Sequence, residues 1–334
     1  MRALPAAALL AVFVAAPPVW TQQLTGVNAR LRGISAVTDK IAWASGSGGT
    51  VLRTANGGDS WTAVAVPNAA QLDFRDIDAF SSNVAYVLSI GSGEASRIYK
   101  TSDAGNTWTL QLANTDPKVF LDAMAFWSED RGIAYSDSVD GQFVIFMTTN
   151  GRTWERIPPE RLPPALPNEG AYAASGTNVA VHGEHVWIAT TASRVLHSSD
   201  RGRTWTIAQT PVATSASAGI FSIAFRDPLH GIVVGGDYRR EAEAVDNAAM
   251  TSDGGRTWTL SKGLSGYRSA VAFVPGRQGT WLAIGPQGGD VSDDDGRRWT
   301  PLVGVGFDAF SFAPGKPVGW GSGQRGGIAR LVWR

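Results

Sequence analysis

Short apolar runs closing on an Ala-Phe pair recur along the chain: RDIDAF (Arg75–Phe80), LDAMAF (Leu121–Phe126), FSIAF (Phe221–Phe225) and RSAVAF (Arg268–Phe273). Each reads as a strand, designated A. A run of small and β-branched residues reads as strand B, in the forms GIAYSD, VWIATT, GIVVGG and TWLAIG. Strand C leads from there into a tight polar motif, and the tryptophan that closes the motif opens strand D.

The polar motif, Ser/Thr-x-Asp-x-Gly-x-Thr-Trp, occurs six times. Three copies are complete: TSDAGNTW with Asp103 and Trp108, SSDRGRTW with Asp200 and Trp205, and TSDGGRTW with Asp253 and Trp258. TANGGDSW carries Asn56 in the acidic position before Trp61. TTNGRTW is one residue short and ends on Trp154. SDDDGRRW, with Asp294 and Trp299, has Arg298 in place of Thr. The tryptophans fall 41 to 53 residues apart. Such a period, with four strands per unit, predicts an all-β fold: a β-propeller with one blade per repeat. Within the motif, Asp and Ser/Thr side chains accept backbone N–H bonds and lock the turn. The Gly supplies a positive φ, and the Trp ring buries between blades. These aspartates are therefore structural.

Six complete units end at about Leu302. A partial unit follows: FDAFSF, VGWGSG and IARLVWR read as strands A, B and C, and a strand D is missing. VWTQQLTG (Val19–Gly26) has the strand D pattern of SWTAVAVP and TWTLQLAN. The N-terminal strand should therefore complete a seventh blade, removing the sheet edges that an open array leaves. Six blades with ragged ends would leave an apolar strand triplet unpaired.

The chain has 334 residues, no cysteine and zero formal net charge. These values exclude a disulfide framework and thiolate chemistry, and they give no basic excess for nucleic acid. Leu4–Ala16 is an apolar stretch behind a single arginine, too short to span a bilayer. Residues 1–18 read as a secretory signal peptide, which predicts export to the periplasm or medium. Residues 19–334 form the propeller, which carries no other candidate membrane span and is expected to be a monomer.

The start of strand A, the B–C turns and the D–A links share one face. That face also holds the irregular segments Pro158–Gly170 and Asp237–Asn247. Function concentrates on such loops over a rigid scaffold. Arg32, Arg75 and Arg268 align there in three blades. Asp76, Asp122 and Asp308 align one place later, and Tyr172 and Tyr267 lie at the same ring. Because strand A is innermost, these side chains should rim the central channel. Three readings fit: a solvated rim of neutralising charges, a docking surface for a protein or peptide, and a catalytic pocket. For catalysis, Asp76 with Asp122 is the candidate acid/base pair. His182 and His185 (HGEH) lack further ligands for a metal, and no cofactor motif is present.

The six motif copies are identified as Asp-box, or BNR, repeats, and three families resemble the chain on that basis. Sialidases share the architecture. That resemblance implies three arginines on a substrate carboxylate, a tyrosine nucleophile and an Asp acid/base, hence an exo-acting glycosidase and a glycan ligand. The Arg-Ile-Pro signature of that family, however, belongs before the first Asp-box, whereas Arg156-Ile157-Pro158 follows the third. Oligoxyloglucan hydrolases resemble the chain too, but they place substrate between two tandem propellers. The chain after residue 18 also resembles the photosystem II stability/assembly factor family, a group of seven-bladed propellers. This rests on ASGSGGTVLRTANGGDSW (Ala44–Trp61), the Arg-x-Ile opening of RDIDAF and the N-terminal strand. It implies an exported, non-catalytic propeller that binds a partner protein through arginines, with Arg32, Arg75 and Arg268 as the corresponding positions.

Overall fold

A computed structural model describes residues 18–302, Gly304 and residues 306–333. Apart from Pro18, the expected export signal lies outside these residues. The described residues contain no α-helix, only strands and three short 3-10 turns. No helix among them is long and apolar enough to cross a membrane.

The strands form seven four-stranded antiparallel sheets, each in the order A-B-C-D. Six sheets take their strands consecutively from the chain. The seventh runs Ala309–Phe312, Val318–Ser322, Ile328–Val332 and then Val19–Gln23, so the N-terminal strand closes the ring. Five register pairs hold it, from Val19 opposite Val332 to Gln23 opposite Ile328. Gln23 is also a clasp: its Oε1 accepts from the indole N–H groups of Trp61 (3.0 Å) and Trp320 (3.1 Å), and its Nε2 donates to the Gly57 carbonyl (2.8 Å).

Adjacent blades share apolar layers. Trp43 and Val51 of blade 1 pack on Phe74, Ile77, Val87 and Tyr99 of blade 2. The deepest rings lie on strand B, where Trp43, Trp187, Trp281 and Trp320 are fully buried. Two of them reach into the next blade: Trp43 donates to Ser81 O (3.0 Å) and Trp187 to Gly254 O (2.8 Å). Of the motif tryptophans, Trp61, Trp154 and Trp299 are buried, while Trp108, Trp205 and Trp258 are half-buried.

The motif turns close as their chemistry requires. Thr107 donates its N–H (2.8 Å) and hydroxyl (2.7 Å) to the Asp103 carboxylate, and Thr101 donates to the same group at 2.9 Å. In Asp200, burial opposes ionisation, yet hydrogen bonds from Thr204 and Ser198 hold the carboxyl down at about 2. Asn56 accepts from Ser60 N–H (3.1 Å), and Asp294 accepts from Arg298 N–H (2.9 Å).

Candidate functional site

Four innermost strands carry a β-bulge near their start. The register slips between Leu31 and Gly33, Phe74 and Asp76, Leu121 and Ala123, and Ile220 and Ser222. A bulge leaves one residue unpaired and re-aims its side chain. The residues so released are Arg32, Arg75, Asp122 and Phe221, and all four line one cavity of about 520 Å³.

Its floor comes from an unexpected place. In blade 4 strand A is confined to Val179–His182. The chain ahead of it crosses the channel instead. Arg75 Nη1 of blade 2 donates to Ala173 O (2.8 Å), Ser175 Oγ donates to Ser269 O of blade 6 (2.6 Å), and Thr177 donates to Ser222 of blade 5 (2.7 Å). Gly176 approaches the Asp76 carboxylate so closely, at a φ of +73°, that a Cβ there would stand 2.2 Å from it. Residues 171–178 thus plug the propeller and give the cavity a bottom.

The plug brings Tyr172 into the wall, stacked on Phe221 at 3.9 Å between ring centroids. The long loop after Asp237 adds Tyr238 and Glu241. Tyr267 is buried beside them, and Asp308 is held by Arg30 through two contacts of 2.9 and 2.6 Å. Of the cavity arginines, Arg30 is thus spent on Asp308, and Arg75 on Asp73 (2.8 Å) and the plug. The Arg32 side chain makes no hydrogen bond or ion pair among the described residues. Burial, then the neighbouring Arg75 and Arg30, push its guanidinium down to about 10.

Three expectations are corrected. Arg268 does not reach the cavity. It is buried, with Nε 2.5 Å from Asp290 and further bonds to Tyr267 O (2.7 Å) and Ser265 (2.6 Å). It lies two residues ahead of its strand, Ala270–Phe273, which pairs without a register slip. Asp76 does not line the cavity either. The bulge makes Asp122 the equivalent of Arg75, leaving Asp76 to accept the Met124 N–H of the next blade at 2.7 Å. Ser222 plays the same part for Val271 N–H at 2.9 Å.

The anticipated Asp76–Asp122 pair accordingly does not form. Both carboxylate oxygens of Asp122 are buried without a hydrogen-bond partner among the described residues, and burial, then Asp137 on strand B of its own blade, push its carboxyl well above the usual range. Asp76 is raised likewise, by burial and then by Asp78.

Arg30, Asp137, Phe221, Tyr238 and Glu241 were absent from the sequence candidates. Arg30 precedes its strand by one residue, and the Leu-Arg-Gly run after it was the only local signal. At the strand ends beside the B–C turns, Arg194 is committed to the fully buried Glu169 and Asp237 to Arg240 (2.9 Å). His185 pairs with His197 (2.9 Å) rather than acting with His182.

A cavity with an uncommitted guanidinium, an aromatic wall and a closed floor can hold an anionic group presented on an extended segment. No protein-family model matches the chain. Over 218 residues it is 26% identical to Photosystem II assembly protein Ycf48 of Synechococcus sp. (strain JA-2-3B'a(2-13)). The chain is similar to a photosystem II assembly protein. That match takes in 54% of this chain and 62% of the relative, so it spans less than two thirds of the relative's length. Among solved structures, YCF48 bound to D1 peptide superposes with a TM-score of 0.67 at 15% identity, over 94% of this chain and 96% of the other. A xyloglucanase from Xanthomonas campestris superposes at 0.59 and 14% identity, over 94% of this chain and 53% of the enzyme. At such identities these two likenesses concern the fold alone, and a peptide binder and a glycosidase share it.

Proposed function

We propose that this protein is an exported, monomeric, non-catalytic propeller whose channel-mouth cavity binds an extended peptide segment of a partner protein, in an assembly or scaffold role. Arg32 carries the reading. A guanidinium that lines a partly dry cavity without a hydrogen-bonded counter-ion is poised for a carboxylate, and pairing would return the cost of its desolvation. The similarity to Ycf48, of which a relative is solved with a D1 peptide, supports a peptide as the occupant. The tyrosine–phenylalanine stack offers the apolar contact that interface hot spots favour.

The glycosidase alternative fares worse at the same residues. A tyrosine nucleophile needs a lowered pKa or an adjacent base. Burial, then Tyr238, raises Tyr172 to about 12, and its hydroxyl lies near a carbonyl, Ala218 O (3.4 Å). Tyr267 is raised further by burial. A pair that cleaves glycosides needs one carboxyl ionised as nucleophile or base, whereas burial raises both Asp122 and Asp137.

The test uses fluorescent acidic peptides and partners captured from the exported fraction of the native cell. Arg32→Ala should weaken peptide binding about tenfold, the loss of one charge-assisted contact, with the larger difference at low salt. Equal binding by the variant, or a protein confined to the cytoplasm on fractionation, would sink the proposal.

A further inference from the structure

On the face of the motif turns, blades 3 and 4 part around a cleft of about 300 Å³. We propose that this cleft is a second binding site, for a phosphate monoester carried on an apolar or aromatic body.

Strand D of blade 3 is two residues long, Glu155–Arg156, as it is in blades 1 and 5. Here Pro158 and Pro159 follow after Ile157. Proline has no N–H to extend a strand, so the chain leaves the sheet as a 3-10 turn, Pro159–Arg161. The uncovered ground is apolar, formed by Trp127, Met147, Ile157 and Pro158. The Trp127 N–H is already used by His185 O (3.2 Å), which fixes the ring as a wall.

Five arginines stand around this ground against one carboxylate, Glu155. Two of the five are framework. Arg161 Nη2 donates to the Gly202 (3.4 Å) and Arg203 (3.2 Å) carbonyls and ties the two blades together, and Arg201 pairs with Glu184 (3.3 Å). The side chains of the other three, Arg131, Arg156 and Arg203, make no hydrogen bond or ion pair among the described residues.

In a chain of zero net charge, three uncommitted guanidinium groups on one cleft form a local excess that self-repulsion opposes. A phosphate monoester carries a charge of about −1.5 to −2 at neutral pH and three acceptor oxygens. That matches several guanidinium forks better than a monoanionic carboxylate does. The apolar ground requires a body on the ester that inorganic phosphate lacks. The volume lies at the small-molecule end of ligand sites, near the ~300 Å³ at which such pockets begin.

The experiment is calorimetric titration of the full chain with phenyl phosphate, inorganic phosphate and benzoate. Phenyl phosphate should bind at least about tenfold more tightly than either of the others, each of which lacks one half of the recognition. Arg156→Ala/Arg203→Ala should remove most of that binding, and Arg32→Ala, at the channel mouth, should leave it unchanged. All three arginines are exposed or line a cavity, and matching melting curves would establish that the variants fold. No saturable binding, equal affinity for the three probes, or an unaffected Arg156→Ala/Arg203→Ala variant would overturn the proposal. Loss of binding in Arg32→Ala alone would move the phosphate to the channel and overturn it too. Because the peptide site and this cleft share no residue, either proposal can fail without the other.

Discussion

A chain that begins at Leu24 should not fold as a closed ring, and its cooperative melting transition should be lost. The N-terminal strand supplies all of the outer edge of blade 7 through five register pairs. Trp20 stacks on Phe307 at 5.0 Å and meets Phe310 edge-on at 5.6 Å. Removing a buried aromatic costs about 3–5 kcal/mol, and Trp20, which is partly buried, should cost less than that. Removing Gln23 leaves the Trp61 and Trp320 indole N–H groups without an acceptor, at about 1–3 kcal/mol for each orphaned donor. Against a total stability of about 5–15 kcal/mol, these losses consume most of what holds the fold.

Circular dichroism in the near and far ultraviolet would follow the truncation. We expect the thermal transition to broaden or vanish, and a synthetic Val19–Gly26 peptide to restore it in part by rebuilding the missing strand. Gln23→Leu isolates the clasp and should give a milder destabilisation with the ring still closed. A truncated protein that melts within a few degrees of the full chain would mean that the other six blade interfaces suffice.

The ring was legible in the sequence because each of its determinants is local. The motif turns need particular side chains at fixed offsets, and Val19–Gly26 resembles strand D closely enough to betray its partner. The cavity was legible only in part. Placing a side chain at the channel mouth depends on a one-residue slip inside strand A, and such a slip leaves no mark in the apolar pattern. That is why Asp76 aligned with Asp122 on the page while the bulges align Arg75 with Asp122. Arg268 shows the converse, because an arginine at the expected position was taken by Asp290 within its own blade. The plug was invisible for a different reason. Ala171–Asn178 has no periodicity, and its conformation is set by hydrogen bonds to blades 2, 5 and 6.

Buried carboxyls should make the stability of the protein fall as the pH rises through neutrality, and Asp78→Asn should cancel much of that fall. Burial raises Asp78 to about 7 from an ordinary value of 3.8. Asp76, Asp122 and Asp137 are raised as well, by burial first, with Asp78 adding to Asp76 and Asp137 to Asp122. A carboxyl whose folded pKa exceeds its unfolded one contributes stability in full below about pH 4, and loses it as the pH climbs through the folded value. For Asp78 the window runs from about 4 to about 7. Three pKa units correspond to about 4 kcal/mol. Asp78 is partly accessible on its surface, so solvent screening should reduce this to about half.

His197 works in the opposite direction. Burial, then His185, lowers it to about 4, so it contributes stability above about pH 6.5 that is lost as the pH falls toward 4. Its window overlaps that of Asp78, so the histidine offsets about one carboxyl there, and with Asp76, Asp122 and Asp137 also raised the melting temperature should be highest near pH 4 and fall as the pH rises. Calorimetric scans from pH 4 to 8 would compare the wild type with Asp78→Asn and Asp122→Asn. Both variants should match the wild type at the acid end and exceed it by several degrees at pH 8. Parallel curves would mean that the carboxyls are ionised in the fold.

A proton on Asp122, which burial favours, also bears on binding. With that proton in place, the cavity's three arginines face three net negative charges rather than four. Arg32 then keeps no intramolecular partner, which is the condition on which a peptide carboxylate depends. Asp122→Asn fixes that position in its uncharged form, so it should preserve acidic-peptide binding at pH 8 while the wild type weakens there.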